Sequence, residues 1–255
     1  NLSLFILSIA PHNTTSTPTM KHREGMSSGA PMEFGEHKVE THARGTDLSL
    51  VYTIDPAVVD DYINSVEQLL AGDKYKVVGI DLQYTAGRPG IDQKVAVAQL
   101  CVRHHVLIYH YCMATEPCDR FNKFVNNTDY KFATVETTDN VKALSVTGFP
   151  CKNLVEIREH YRVWCSTKKD SLVELASAII NPYYEKMKQG AQRTSPVSWH
   201  GAWMRQLDEP HLRFTTKSVY TCYEMHRRIV HMRKCLVTEI DEAGSSHNHS
   251  KRHKK

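Results

Sequence analysis

Apolar positions along the chain follow a helical period first and a strand-like period next. Between residues 56 and 70, apolar side chains recur every three or four positions, which predicts a helix that starts at Asp55-Pro56 and ends at Gly72. Three strand-length apolar runs follow, separated by turn-forming residues, and the last two predict a hairpin. These runs cover residues 77–82, 95–102 and 106–111.

Helical and strand-like patterns then alternate along the rest of the chain. They predict helices over 118–126, 139–146, 171–180 and 215–235, and strands over 131–135 and 153–157. A block of strands followed by alternating strands and helices predicts one α/β domain with a mixed sheet, which we place over 51–238. Residues 1–50 and 239–255 are polar and lack sustained periodicity, so we expect a disordered arm and a disordered basic tail.

The formal net charge of +4 belongs to the end of the chain. Residues 251–255 read KRHKK and carry four positive charges, so the charges of all other residues sum to zero. A protein that binds nucleic acid usually has a basic body. Two interpretations of the tail stay open, a nuclear-import or nucleic-acid contact and a solvated terminus, and we expect a nuclear or cytoplasmic protein.

The cysteines and the opening residues exclude several classes of protein. Seven scattered cysteines without a Cys-x-x-Cys pair indicate reduced thiols, not a disulfide framework or a zinc site. No window approaches the roughly 18 apolar residues that cross a bilayer, so we expect no membrane contact. Residues 2–10 are apolar like the core of a secretory signal peptide, but no positively charged residue precedes them in this sequence. We interpret them as translated upstream sequence or a fragment boundary, with Met20 or Met26 as the start.

The candidate chemistry lies at the end of the first predicted strand, where one carboxylate stands in place of two. The segment reads VVGIDLQ, and Asp81 and Gln83 face the same side because side chains alternate along a strand. An Asp-x-Glu pair there would offer two charged oxygen ligands to a hard cation such as Mg²⁺. Gln83 supplies an oxygen without a charge.

The order of the motifs resembles the 3′–5′ exonuclease domain of the DEDD group, and within it the Werner-syndrome-type exonucleases and their plant relatives. The resemblance covers about residues 50–235. VVGIDLQ resembles the strand that carries Asp-x-Glu, and VAVAQLC resembles the strand after it. The matching later segments are FATVETTDNVKAL for the second acid, KNLVEIR with SLVELA for the central helical region, and FTTKSVYTCYE for the last motif.

The resemblance implies a ribonuclease-H-like fold, with a mixed five-stranded sheet flanked by helices, and two-metal hydrolysis of nucleic acid from its 3′ end. The family's four acids fall on Asp81, Gln83, Asp139 and Ser218, and its orienting tyrosine falls on Phe214. Only Asp81 and Asp139 keep a carboxylate, so we expect Mg²⁺ or Mn²⁺ to bind weakly or not at all. Phe214 also lacks the hydroxyl that would orient water.

The two retained acids have a structural interpretation as well. Asp139 stands where a helix is predicted to begin, and an acid there is commonly a cap. Asp81 at a strand end could be held by backbone amides. Three functions stay open: a pseudo-exonuclease that binds the 3′ ends of DNA or RNA with impaired or no hydrolysis, an active two-metal exonuclease, and a module that pairs with another protein. We favour the first.

Overall fold

The structure is a computed structural model, and it describes residues 30–40, 47–87, 92–135, 141–149, 151–163, 168–185 and 203–249. Side chains are described within these ranges except at residues 141–142 and 235–249. Asp139, residues 1–29 of the predicted arm and residues 250–255 of the predicted tail lie outside the described residues.

A mixed sheet organises the domain, with the strand order β1-β2-β5-β4-β3-β6-β7. Neighbours β2 and β5, β3 and β6, and β6 and β7 are parallel, and the other three pairs are antiparallel. The strands are β1 (Gly35–Glu40), β2 (Asp47–Thr53), β3 (Lys76–Tyr84), β4 (Val95–Val102), β5 (His105–Tyr109), β6 (Tyr130–Thr134) and β7 (Leu154–Glu156).

Helices cover both faces of this sheet. Helices α1 and α2 pack on one face against β3, β4 and β5, and helices α5 and α6 pack on the other. The helices are α1 (Pro56–Leu70), α2 (Asp119–Asn126), α3 (Val141–Thr147), α4 (Ile157–Arg162), α5 (Leu172–Ile179) and α6 (Glu209–His249), with 3-10 turns at Tyr111–Met113 and Pro182–Tyr184. The mixed α/β architecture predicted from the sequence is therefore confirmed.

Local capping explains where two of the predicted helices begin. The Asp55 carboxylate accepts a hydrogen bond of 2.8 Å from Ala57 N, and Pro56 occupies the first turn, where its missing N–H costs nothing. Ser171 and Glu174 form a reciprocal capping box at the start of α5. No helix among the described residues is both long and apolar enough to cross a bilayer.

The sheet has seven strands where five were predicted, and two of them begin before residue 50. β1 and the first part of β2 lie within the segment expected to be disordered, and β2 pairs in parallel with β5. Leu48, Leu50 and Tyr52 alternate along β2 and are fully buried. This alternation is typical of a strand, but the predicted domain boundary at residue 50 divided it. β1 buries only Val39 and depends on pairing with β2, so its own pattern is weak.

The last helix is longer than predicted at both ends. α6 begins six residues before residue 215, because Asp208 caps it by accepting from His211 N at 3.1 Å and Leu212 is buried in its first turn. It continues to His249, so residues 239–249 are helical where a disordered tail was expected.

At Gly79, helix α6 packs directly on the backbone of strand β3. An added Cβ at Gly79 would lie 2.7 Å from Val219 O, 2.8 Å from Tyr223 Cβ and 2.9 Å from Tyr223 N. Two of these atoms belong to the helix backbone, so a side chain at residue 79 would push α6 away from β3. Only glycine permits this packing.

We predict that Gly79→Ala lowers the free energy of unfolding by about 1–3 kcal/mol, because the added methyl group overpacks the contact between strand and helix. Chemical denaturation measures this change. The matched control is Gly72→Ala, since a Cβ at Gly72 meets nothing within 4 Å and its backbone is compatible with alanine. Equal effects of the two substitutions would contradict the packing of α6 on Gly79.

Candidate active site at the end of the third strand

Strand β3 presents two of the predicted site residues to α6. Gly79, Asp81 and Gln83 share one face of the strand because side chains alternate, and Gly79 contacts α6 directly. Asp81 and Gln83 are partly buried. Strand β6 runs parallel to β3, so both strands end at the same edge of the sheet. Asp139 follows β6 in the sequence but lies outside the described residues.

Hydrogen-bond donors surround the Asp81 carboxylate. Its Oδ1 accepts from Leu82 N at 2.9 Å, and its Oδ2 accepts from Gln83 Nε2 at a long 3.4 Å. Gln83 therefore turns its amide nitrogen, not its oxygen, toward the acid. The bond from Leu82 agrees with the structural interpretation of Asp81, in which a backbone amide holds the carboxylate.

A third donor comes from Gln99 on β4, which lies opposite Asp81 in the antiparallel register. Gln99 is fully buried. In the orientation that its neighbours require, its amide nitrogen donates to Asp81 Oδ2 at 3.2 Å and to Thr215 O at 3.1 Å. The amide thus bridges β3 and α6. The sequence carries a signal for this role, because Gln99 is the one polar residue of a strand that is buried throughout.

Helix α6 supplies Phe214 and Ser218, which are one turn apart. Ser218 is buried and lies between Thr215 and Cys222 on the helix face that packs on β3. Burial raises the pKa of the Cys222 thiol, and the negative charge of Asp81 raises it further, which places that charge near this helix face. Phe214 packs in the core formed by β1, β2, β4, β5 and α6, so it contributes apolar surface.

A further carboxylate at this edge of the sheet, Glu156, was not among the predicted site residues. It ends β7, next to β6, and accepts a hydrogen bond from Arg158 N at 3.2 Å at the start of α4. It also forms an ion pair of 3.0 Å with the Arg158 guanidinium, and both side chains are at least 85% buried. Arg158 compensates the charge of Glu156, and no spacing in the sequence marks the pair.

We tested whether these residues fit a pair of divalent cations. Within the ranges that the structure describes, no three or more His, Cys, Asp and Glu side chains lie close enough together to hold a metal ion. The N–H groups of Leu82, Gln83 and Gln99 point at Asp81, where a cation would need unshared oxygen lone pairs. The described residues do not fit such a pair.

Comparison of sequences finds no match for this chain, either among protein-family models or among curated proteins. Comparison of structures does. The chain is similar to the EXO domain of Aedes aegypti Nibbler, with a TM-score of 0.52 and 11% identity over 71% of this chain and 86% of that domain. It is similar to Escherichia coli RNase D, with a TM-score of 0.54 and 10% identity over 70% of this chain and 44% of that enzyme.

The catalytic core of RRP6 from Trypanosoma brucei is a third similar structure, with a TM-score of 0.51 and 10% identity over 81% of this chain and 63% of that core. The chain thus spans less than half of RNase D and under two thirds of the RRP6 core. At these identities the comparisons show the fold alone, and they confirm the predicted ribonuclease-H-like fold. The closer likeness to Werner-type exonucleases stays a prediction.

We predict that Gln99→Leu lowers the free energy of unfolding by about 1–3 kcal/mol, since it removes the donor that Gln99 supplies to both Asp81 Oδ2 and Thr215 O. The same change at Gln93, which is exposed, should stay within about 0.5 kcal/mol. A double-mutant cycle that combines Gln99→Leu with Asp81→Ala should show coupling. Additive effects would contradict the bond between Gln99 and Asp81.

Proposed function

We propose that this protein is a pseudo-exonuclease, which binds the 3′ ends of nucleic acid through an exonuclease fold and hydrolyses them slowly or not at all. The observation that supports this proposal most is the set of hydrogen bonds that the Asp81 carboxylate accepts. Where the fold's paired acids are expected, the carboxylate accepts hydrogen bonds from Leu82, Gln83 and Gln99. Three neutral N–H donors satisfy the charge that would otherwise hold a cation.

The loss of charge extends beyond Asp81. Gln83 and Ser218 stand at two positions that the family resemblance assigns to acids, and both are neutral. Glu156 is tied to Arg158 by an ion pair that is mostly buried, so its charge is already matched. Two-metal catalysis needs negative oxygens to hold both ions in place. We therefore propose that Mg²⁺ and Mn²⁺ bind weakly or not at all, and that this copy of the fold has lost most of its turnover.

Nucleic acid is the proposed ligand because the fold is that of enzymes that act on it. Escherichia coli RNase D, one of the similar structures, is an exoribonuclease involved in structured RNA processing. Asp81 and Gln83 are only partly buried, so a strand end can reach this edge of the sheet. RNA and DNA both carry the phosphates and sugars that such an edge would meet. A nuclear or cytoplasmic location is proposed with it.

Restoring the acids tests the proposed loss of catalysis. Gln83→Glu combined with Ser218→Asp should create Mg²⁺- or Mn²⁺-dependent release of nucleotides from a labelled 3′ end, and Phe214→Tyr should increase it. The new carboxylate at residue 83 would stand beside Asp81, so the variant should also be less stable in a chelator and regain stability when Mn²⁺ is added. Thermal unfolding with and without metal measures the second effect.

The control is the same pair of changes with Asp81→Ala, which should abolish both effects. Robust metal-dependent hydrolysis by the natural protein, lost on Asp81→Ala, would contradict the pseudo-exonuclease and support an active enzyme. Metal-dependent stabilisation of the double variant without hydrolysis would show that the positions cluster, and would place the missing chemistry elsewhere.

Binding is tested separately with a labelled duplex that has a 3′ overhang. We expect binding at low salt that weakens as salt increases, because phosphate contacts release counterions. A blunt duplex of the same length is the matched control, and it should bind more weakly. An absence of binding to both at low salt would contradict the proposal.

A protein-interaction module is the second candidate, and the charge balance favours it. Outside the KRHKK tail the formal charges sum to zero, so the body lacks the overall positive charge that usually attracts nucleic acid. Affinity purification from native extract, with and without nuclease treatment, separates the two functions. Recovery of nucleic acid alone would count against this second candidate.

A further inference from the structure

The segment that leads into α6 is buried, and contacts on two sides hold it. Within residues 203–208, Trp203 is 3% exposed and Leu207 is 1% exposed. On one side, Met32 N donates a hydrogen bond of 2.8 Å to Leu207 O, and Gln206 Nε2 donates one of 2.7 Å to Met32 O. Because α6 follows this segment directly, these contacts help to set where the helix begins.

A buried tyrosine and a buried histidine hold the segment on the other side, where the parallel strands β2 and β5 end. Leu207 N donates a hydrogen bond of 2.9 Å to the hydroxyl oxygen of Tyr52. That hydroxyl lies 3.0 Å from His110 Nδ1. His110 Nε2 lies 2.9 Å from Trp203 O. The pair thus connects the segment to the sheet at two places.

The donors and acceptors of this pair can be assigned one by one. Trp203 O can only accept, so His110 Nε2 carries a proton and donates it. A neutral imidazole carries one proton, so Nδ1 accepts from the Tyr52 hydroxyl. Burial raises the pKa of Tyr52 to about 12, so the phenol keeps the proton that it donates. With a neutral His110, every hydrogen bond of the pair has one donor and one acceptor.

A second proton on His110 does not fit this arrangement. Protonated Nδ1 would face the hydrogen of the Tyr52 hydroxyl, and a hydroxyl that turned away would need another acceptor in a buried place. Burial also lowers the pKa of His110, and the hydrogen bond to Trp203 O opposes only part of that shift. The closed segment therefore favours the neutral ring.

The elements around His110 also carry titratable or charged groups. They are Asp55 after β2, Cys112 on the 3-10 turn, Arg205 in the segment, and Asp208, Glu209 and His211 around the start of α6. Asp55, Arg205 and Glu209 are exposed, and burial raises the pKa of the Cys112 thiol. Asp208 pairs with His211, whose ring centre lies 5.3 Å from that of Trp203. The test therefore has to separate His211 from His110.

We propose that Tyr52 and His110 form a pH-sensitive switch, which keeps residues 203–208 closed on the sheet while the imidazole is neutral and releases them when it takes up a second ring proton. In the open state water surrounds the imidazole and bonds to Leu207 N–H. The contacts with Met32 then hold the segment alone, so the start of α6 loses part of its support. The switch does not rest on the proposed function, and either can fail while the other stands.

The direction of the pH dependence follows from the two protonation states. In the closed segment the pKa of His110 lies below its ordinary value, which is about 6.5 and applies to the open segment. Above about pH 6.5 neither state takes up the proton, so closure has its full stability. As the pH falls from about 6.5 toward the lowered pKa, only the open state is protonated, and opening increases by up to about tenfold per pH unit.

Hydrogen exchange of the Leu207 amide measures the opening, because Tyr52 accepts its hydrogen bond only in the closed segment. Exchange in the full chain is followed by nuclear magnetic resonance and corrected for the intrinsic effect of pH. The amide of Phe132 in β6, which donates to Asn153 O at 3.0 Å, is the reference for the rest of the fold. We expect the protection of Leu207 to fall below about pH 6.5 and that of Phe132 to change less.

His110→Gln removes the titrating ring and keeps an amide that can donate to Trp203 O, so the protection of Leu207 should lose its pH dependence. His226→Gln is the matched control, because His226 is also buried and burial lowers its pKa to about 4. His211→Gln is the second control and replaces the neighbouring imidazole. Both controls should keep the pH dependence of the natural protein.

Tyr52→Phe tests the switch without changing His110. Loss of the hydroxyl leaves Leu207 N and His110 Nδ1 without this partner, so the protection of Leu207 near neutral pH should fall at least about tenfold. The matched control is Tyr62→Phe, which removes a hydroxyl that donates to His105 O at 3.0 Å. That control should leave the protection of Leu207 nearly unchanged. Thermal unfolding shows that each variant keeps the fold.

Equal pH dependence in the natural protein and in His110→Gln would overturn the switch. A dependence that is lost in His211→Gln and kept in His110→Gln would also overturn it. A parallel loss of protection at Leu207 and Phe132 would mean that the whole domain unfolds, with the same consequence. If His110→Gln does not fold, the ring nitrogens of His110 in the natural protein decide, since chemical shifts that place the neutral proton on Nδ1 would contradict the assigned bonds.

Discussion

The packing of α6 directly on the backbone of β3 at Gly79 sets the strand that carries Asp81 against the helix that carries Ser218. Because no side chain separates the two backbones, the residues that follow Gly79 on β3 meet the beginning of α6. Gln99 then connects Asp81 on the strand to Thr215 on the helix. Farther along the same strand and helix, Val77 and His226 line a cleft between the segment that leads into β3 and the middle of α6.

At the candidate site, the described residues match a single negative charge with neutral donors. A carboxylate that accepts from one backbone amide and two glutamine amides is well solvated by the protein, and it needs no cation for stability. The ion pair of Glu156 with Arg158 balances the next carboxylate along this edge. A two-metal exonuclease needs several carboxylate oxygens close together, whose negative charge is neutralised by the bound cations. The hydrogen bonds of Asp81 and the ion pair of Glu156 are therefore the observations on which the proposed loss of catalysis rests.

Patterns within one element could be predicted from the sequence, and pairings between distant elements could not. Helix α1 was predicted because its apolar period, the Asp55 cap and Pro56 all act within one segment. Strand β1 was missed because it buries only Val39 and takes its order from β2. Gln99 was not predicted as a site residue, because its partner depends on the register that places it opposite Asp81. The cleft joins residues about 150 positions apart, so no local pattern marks it.

The binding of Mn²⁺ to the natural protein tests the central claim most directly, because it measures the metal site without any substrate. Electron paramagnetic resonance distinguishes the aqueous ion, a single bound ion and a pair of ions that are magnetically coupled. We predict that titration into the protein leaves the spectrum of the aqueous ion dominant, with no coupled pair. A coupled pair of Mn²⁺ ions that disappears on Asp81→Ala would contradict the loss of the two-metal site.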